Sequence, residues 1–344
     1  MEIVHSVLGP FSRDLAIDLG TANTLIYLRG EGVVCNEPSM IAVRHASSGS
    51  RKVLAVGEEA KRMWGRTPGS IVVSRPIRDG AIADFETTKE MLRYFIQKVC
   101  RRKLLRPQVL ICVPSGLTAV EKRAVVESAE SVGARRVYLV EQAMAAAIGA
   151  GLPVAEPVGS MIIDIGGGTT DIALISLGGL VWSKSLRIAG DKIDQAVIGL
   201  IRQSYNVQIG ERTAEMVKLM LGSARPDSEI QTLQIKGRDM STKQPKTIEV
   251  DDEEIRRAIM EPVHHLLEAV REGLEHTPPE LISDIVERGI VLAGGGALLR
   301  NLDVFMSQEI GLPTTVTSDP LKAVAVGAGK LLDNPSLLQQ VVLN

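Results

Sequence analysis

Aromatic residues are scarce in this chain of 344, at 3%, with two Trp, four Tyr and four Phe. So few rings leave no stacking platform of the kind that holds single-stranded nucleic acid. Charge of one sign is also lacking. The 39 Lys and Arg stand against 41 Asp and Glu, a net charge of −2, so no basic field points to a nucleic-acid partner. The three cysteines, 35, 100 and 112, are odd in number and lack metal-ligand spacing. They read as free thiols in a reducing cytosol. The histidines form no metal pattern, and His264-His265 reads as the outer face of a helix whose apolar side carries Ile259, Leu266 and Leu267. Mean hydropathy is +0.13, yet long hydrophobic runs are missing. The apolar stretches at 109–113, 161–165 and 290–293 are strand-length, far short of the roughly 20 residues a spanning helix needs. The first 13 residues have no basic leader and no signal-peptide core. They place Ile3, Val4, Val7, Leu8 and Phe11 at helical spacing, interrupted by Gly9-Pro10, and read either as a lead-in or as a short membrane-touching helix.

Two nucleotide signatures are absent. No G-x-x-x-x-G-K-[ST] occurs, which excludes a P-loop. Gly149-Ala-Gly151 and Gly327-Ala-Gly329 follow helical rather than strand patterns, which excludes a dinucleotide fingerprint.

What is present is a loose internal repeat. Leu15-Ala-Ile-Asp18-Leu-Gly20-Thr-Ala-Asn-Thr24 reads as a strand entering a small-residue turn, with a returning strand after it. Ile162-Ile-Asp164-Ile-Gly166-Gly-Gly-Thr169-Thr-Asp171 does the same. A second pair is a buried strand, a turn and a helix. The strand at 109–113 enters Pro114-Ser115-Gly116 and a helix from 118 to about 132, with Val120, Ala124 and Val125 on its apolar face. The strand at 290–293 enters Gly294-Gly295-Gly296 and a helix from 297 to about 310. A third pair is an Ala- and Gly-rich helix, 143–151 and 321–329, able to bring two backbones close. Three motifs in one order, twice, predict two similar α/β domains with a nucleotide cleft between them.

The chemistry follows from the turns. Backbone N–H groups cradle phosphates where tiny side chains let the anion approach. Gly20, Thr21, Ala22 and Asn23 would supply one cradle; Gly166, Gly167, Gly168 and Thr169 the other. Asp18 and Asp164, at the strand ends, suit Mg²⁺ held through water, because Mg²⁺ takes oxygen ligands and keeps much of its hydration. A single Asp-x-Gly would be turn chemistry; two in matching contexts point to phosphate. Gly294, Gly295 and Gly296, with Ala297 and Leu298 beyond, open a helix whose N-terminus and bare backbone could receive a base or ribose.

These residues resemble the actin, sugar-kinase and heat-shock-chaperone ATPase superfamily, and within it the MreB family, from about Asp14 to Asp333. The segments that carry the resemblance are Asp18-Leu-Gly-Thr-Ala-Asn-Thr-Leu-Ile-Tyr27, Asn36-Glu-Pro-Ser39, Gly65-Arg-Thr-Pro-Gly69 and Arg75-Pro-Ile-Arg-Asp-Gly-Ala-Ile-Ala-Asp84. Two further ones are Gly159-Ser-Met-Ile-Ile-Asp-Ile-Gly-Gly-Gly-Thr-Thr170 and Glu287-Arg-Gly-Ile-Val-Leu-Ala-Gly-Gly-Gly-Ala-Leu-Leu-Arg-Asn-Leu-Asp303. The resemblance implies an α/β actin-like ATPase fold. Domain I would be 1–150 plus 320–344, with a small insertion at about 33–76. Domain II would be 151–319, with an insertion at about 192–256. It also implies ATP and Mg²⁺ binding, slow ATP hydrolysis and homopolymer filaments. The protein would lie in the cytoplasm on the inner membrane face, with morphogenesis and peptidoglycan-synthesis partners and a role in rod shape. It carries adenine and ribose contacts onto Glu215 and Lys218, which from the residues alone sit on an amphipathic helix. Catalysis would involve Gln142, Glu141, Asp164 and Thr169. The chain departs from the family at Glu141-Gln142-Ala143, where Glu-Glu-Pro is usual. Gln142 can orient the attacking water but cannot take its proton as a carboxylate can.

The resemblance also places a membrane-insertion loop at Arg101-Arg102-Lys103-Leu104-Leu105-Arg106. Two leucines ringed by cations suit an anionic leaflet, each basic residue contributing about 1 kcal/mol near the surface. A solvated charge run is the plainer alternative. A sugar or metabolite kinase would need a catalytic Asp near the second turn, where Asp171 stands. A chaperone would need a peptide-binding domain after the nucleotide domain.

Overall fold

The computed structural model describes residues 14–45, 51–100, 106–226 and 228–343. Two five-stranded sheets form its frame, and they share one plan. In the first, β1 (Leu15–Leu19), β2 (Asn23–Leu28) and β3 (Gly32–Pro38) run as an antiparallel meander. On the other side of β1 lie β9 (Gln108–Val113) and then β10 (Arg136–Glu141), both parallel. In the second, β11 (Ser160–Ile165), β12 (Thr170–Ser176) and β13 (Gly179–Leu186) make the meander. There β17 (Ile290–Ala293) and β18 (Thr314–Val316) are the parallel strands. The central strands β1 and β11 are buried along their whole length, as continuous apolar runs covered on both faces should be.

Alternation along each strand divides the core into layers. Leu15, Ile17 and Leu19 face one apolar cluster, with Met91, Leu92 and Phe95 of α2 (Phe85–Val99). Ala16 faces the opposite way, into a central cluster that also receives Ile162 and Ala173 of the second sheet. Between the sheets, in that central layer, lie the two Ala-rich helices, α4 (Gln142–Ala150) and α10 (Ala323–Asp333). Their contact is backbone to backbone. A Cβ on Gly149 would stand 1.9 Å from the Ala323 carbonyl oxygen, and one on Gly327 would stand 1.8 Å from that of Ala145. Met161, Ile163 and Ile165 face the outer layer of the second sheet, under α7 (Asp252–Glu275).

Besides a two-stranded pair, β7 (Ile77–Arg78) with β8 (Ala81–Ile82), the described residues form two three-stranded sheets. The first has the order β5 (Arg51–Val56), β4 (Ile41–His45), β6 (Ile71–Ser74), and packs on α1 (Glu58–Met63). The second consists of β14 (Val207–Gln208), β15 (Thr232–Asp239) and β16 (Pro245–Asp251). It shares a core with α5 (Gly190–Tyr205), α6 (Glu211–Leu221) and the start of α7.

Two sequence expectations change. The helix after β9 is α3 (Ala119–Ser131), started by a capping box between Thr118 and Glu121. Val120 is not on its buried face; it is 79% exposed in the first turn, and the buried positions are Val125, Ser128 and Ala129. The triple glycine does not open an α-helix directly. Gly295–Leu298 is a 3-10 turn, Asn301 takes a left-handed conformation at φ 58°, and the helix after α8 (Pro279–Arg288), α9 (Leu302–Ile310), begins only after it. The left-handed Asn301 breaks the helix, and the turn before it packs so close to β11 that a Cβ at Gly296 would meet Ile165 at 2.2 Å.

Candidate nucleotide and metal site

The ends of β1 and β11 open into one cleft of about 330 Å³ between the sheets. The repeat positions Asp18 and Asp164 equivalently. Each is the penultimate residue of its central strand, opposite the returning strand on one side and the parallel strand on the other. The two turns that follow meet face to face. A Cβ on Gly167 would lie 2.5 Å from the Ala22 methyl, and one on Gly168 would lie 2.7 Å from the Thr21 hydroxyl. No larger residue fits at either position without pushing the turns apart.

Most residues singled out from the sequence line this cleft. Asp18, Gly20, Thr21, Ala22 and Asn23 come from the first turn, and Asp164, Gly166, Gly167, Gly168 and Thr169 from the second. Gln142, Glu215, Lys218, Gly294, Gly295, Gly296 and Leu298 line it as well. Ala297 does not; it is buried in the outer core of the second sheet. Glu141 does not line it either. It ends β10 as the N-cap of α4, and burial holds its carboxyl above the usual range against the pull of Lys122. Residues 101–105, including Arg101, Arg102, Lys103, Leu104 and Leu105, lie outside the described residues, as does the N-terminal segment 1–13; Arg106 is exposed.

Buried acids set the electrostatics of the cleft. Asp18 is pushed up to about 6 by burial, against a hydrogen bond donated by the Gln142 amide at 3.1 Å. Asp164 is pushed well above the usual carboxylate range by burial and by the charges of Asp18 and Asp171. These two buried carboxylates face a glycine-walled cleft, and neither forms an ion pair among the described residues. Hard oxygen donors of this kind match Mg²⁺, and the facing glycine turns match phosphate. Among the described residues no group of three or more acids, His and Cys gathers as a complete metal cage. A metal at the carboxylate pair would need further oxygen donors from outside the described residues to complete its coordination.

The far end of the cleft is closed by ion pairs that sequence reasoning missed. Arg75 reaches across to Asp191 at 2.8 and 2.9 Å and lies over the Trp64 ring at 5.1 Å. Lys61 meets Glu215 at 3.2 Å. Lys218 bonds Asp194 at 3.0 Å and the Gly190 carbonyl at 3.2 Å. Asp191 and Asp194 lie one turn apart at the start of α5, whose first N–H groups, of Gly190 and Asp191, bond back to the Gly166 and Gly167 carbonyls of the second phosphate-type turn. That start of a helix behind a glycine was the available signal.

Comparison with known proteins agrees with this arrangement. A family profile described as MreB/Mbl protein matches residues 12–340. The cell shape-determining protein MreB of Escherichia coli K12 is 53% identical over 328 residues, 94% of each chain. The cell shape-determining protein Mbl of Bacillus subtilis is 49% identical over 325 residues, 94% of this chain and 97% of that one. MreB5 of Spiroplasma citri has been solved bound to ADP, with 39% identity, a TM-score of 0.89, and coverage of 96% of this chain and 98% of its own. The same protein bound to AMPPNP superimposes with a TM-score of 0.88. The fold is actin-like, and the chain belongs to the MreB/Mbl family.

Proposed function

We propose that this protein is an ATP-binding, filament-forming bacterial actin homologue that supports cell shape. The observation that carries the proposal is the pair of facing phosphate-type turns, each beginning at a buried, proton-hungry Asp. The names of the E. coli and B. subtilis relatives support the cell-shape role, and the ADP and AMPPNP complexes of MreB5 support the nucleotide.

In this reading the N–H edges of Gly20–Asn23 and Gly166–Thr169 hold the phosphates from two sides. Asp18 and Asp164 would hold Mg²⁺, which would neutralise phosphate charge. Glu215 and Lys218 stand at the base and ribose end, where both are engaged in ion pairs that a ligand must share or displace. Gln142 is buried and tethered to Asp18, so its amide is fixed where it can orient a water for slow hydrolysis. Glu141, outside the cleft wall, stands at the start of α4 directly before Gln142. The chain divides into domain I, 1–150 with 320–344, and domain II, 151–319, hinged on the crossing of α4 and α10. ATP holds the halves together, and the closed subunit fits its neighbour in a protofilament, the differential affinity a ligand switch requires. Filaments lie in the cytoplasm on the inner membrane face through the loop at 101–106 and organise wall-synthesis partners.

The test is sedimentation with vesicles of anionic lipid, with and without Mg-ATP, followed by electron microscopy of the pellet. Filaments on vesicles are expected only with Mg-ATP. Replacing Leu104 and Leu105 by Ser should release filaments from the vesicles and leave ATP binding intact, because repetition of a weak loop along the filament is what makes attachment avid. Protein that binds ATP yet stays monomeric would return weight to a small-molecule kinase.

A further inference from the structure

The Asn36-Glu-Pro-Ser39 segment has no part in the cleft wall, yet its last residue holds the first turn from behind. Ser39 and Thr24 are both fully buried. The Ser39 hydroxyl donates to the Gly20 carbonyl at 2.6 Å, and the Ser39 N–H donates to the Ala22 carbonyl at 2.9 Å. The Thr24 and Ser39 hydroxyl oxygens are 2.8 Å apart. A serine hydroxyl has one proton, and the Gly20 carbonyl takes it, so Thr24 donates to Ser39. The result is a buried relay from Thr24 through Ser39 to Gly20.

Peptide planarity gives this relay a consequence. In a trans peptide the C=O of one residue and the N–H of the next point in opposite directions, and no cis peptide occurs among the described residues. Turning the Gly20 carbonyl back to Ser39 aims the Thr21 N–H the other way. Turning the Ala22 carbonyl back aims the Asn23 N–H likewise. Carbonyl oxygens repel phosphate and N–H groups attract it, so the tether sets the sign of the surface that the turn presents.

The second half performs the same task with different groups. Gly166 N–H closes its turn on Thr169 O at 2.8 Å, as Gly20 N–H closes on Asn23 O at 3.1 Å. The carbonyls of Gly166 and Gly167 are taken by the N–H groups of Gly190 and Asp191, at 3.2 and 2.8 Å. Thr170, the counterpart of Thr24 and equally buried, donates to the Ile188 carbonyl at 2.7 Å. There the ties on the turn's carbonyls are all main chain. In the first half one of the two is a side chain, and a side chain can be removed by mutation.

We infer that Ser39, backed by Thr24, is a positioning residue that sets affinity for the phosphates of the bound nucleotide and leaves its base and ribose untouched. The inference rests on the nucleotide reading of the cleft. It also makes Ser39, which stands between β3 and β4, a hydrogen-bonded tie from the phosphate turn to the chain that enters the small sheet β4–β6.

The test uses the full chain with Ser39→Ala, Thr24→Val, which is isosteric without the hydroxyl, and Thr24→Ser, which keeps it. A fluorescent ATP analogue is titrated with Mg²⁺, then displaced by ADP and by adenosine. Hydrogen–deuterium exchange over residues 19–24 is followed in nucleotide-free protein. Ser39→Ala and Thr24→Val should weaken the ATP analogue and ADP about tenfold, the loss expected for one buried hydrogen bond. Adenosine should stay within about twofold, Thr24→Ser should bind like the parent, and exchange over 19–24 should quicken in the two impaired variants. Equal loss of ADP and adenosine, or unchanged ADP affinity with unchanged exchange, overturns the positioning role and leaves the nucleotide reading standing. Parent protein that binds no ATP analogue removes both.

Discussion

At the scale of single residues the cleft and the strand behind it hold buried acids that keep their protons to higher pH than usual. Asp18 in the cleft wall and Asp171, outside it and bonded to the Ser115 N–H, are pushed up by burial to about 6 from an ordinary value of 3.8. Between those values the folded state holds more protons than the unfolded chain, so stability falls as pH rises through about 6. Metal-free protein should therefore melt at a higher temperature at pH 5 than at pH 7. Asp18→Asn should flatten that slope, and thermal melts across the range check it. Magnesium competes with the same protons, so its stabilisation of the nucleotide complex should fade below about pH 6. Gln142 adds a second expectation. Without its amide on Asp18 the water has no fixed guide, and Gln142→Ala should slow ATP hydrolysis at least about tenfold. A variant as fast as the parent in a phosphate-release assay would remove Gln142 from that role. Asp18, Asp164 and their turns were legible because the same short pattern occurs twice. Arg75 and Ser39 were not. The Arg75–Asp191 contact spans 116 positions and Ser39 acts through a fold-back of the chain, and neither leaves a periodic trace.

At the scale of elements the tightest constraint is the crossing of α4 and α10. Small residues there were readable as a close approach, and the structure gives the reason in backbone oxygens less than 2 Å from a hypothetical Cβ. Gly327→Ala should destabilise the protein by roughly 1–3 kcal/mol, as overpacking against an unyielding neighbour does. Chemical denaturation is the check, and an unchanged midpoint would mean that the helices can slide apart freely. The two misread elements show the limits of pattern. Val120 fits an apolar stripe, but it occupies the first turn of α3, where no neighbouring element covers it. The stretch after β17 reads as one helix, but the approach of Gly296 to Ile165 and the left-handed Asn301 split it into a 3-10 turn and α9. Local pattern does not encode how near the next strand lies.

For the whole molecule, the repeated sheet plan brings two strand ends to one cleft, and the ion pairs of Arg75 and Lys61 close its far side. The order of motifs along the sequence implied that meeting, while the closing pairs arise only once the small sheet folds over α5 and α6. The measurement that bears most directly on the account is a titration of a fluorescent ATP analogue, with Mg²⁺ and with chelator, against the parent chain and Gly167→Ala. The account predicts saturable binding that weakens when Mg²⁺ is removed. It also predicts at least about tenfold loss in the variant, whose methyl would meet Ala22 at 2.5 Å and part the two turns. Absence of binding by the parent, or binding indifferent both to Mg²⁺ and to the added methyl, would contradict it.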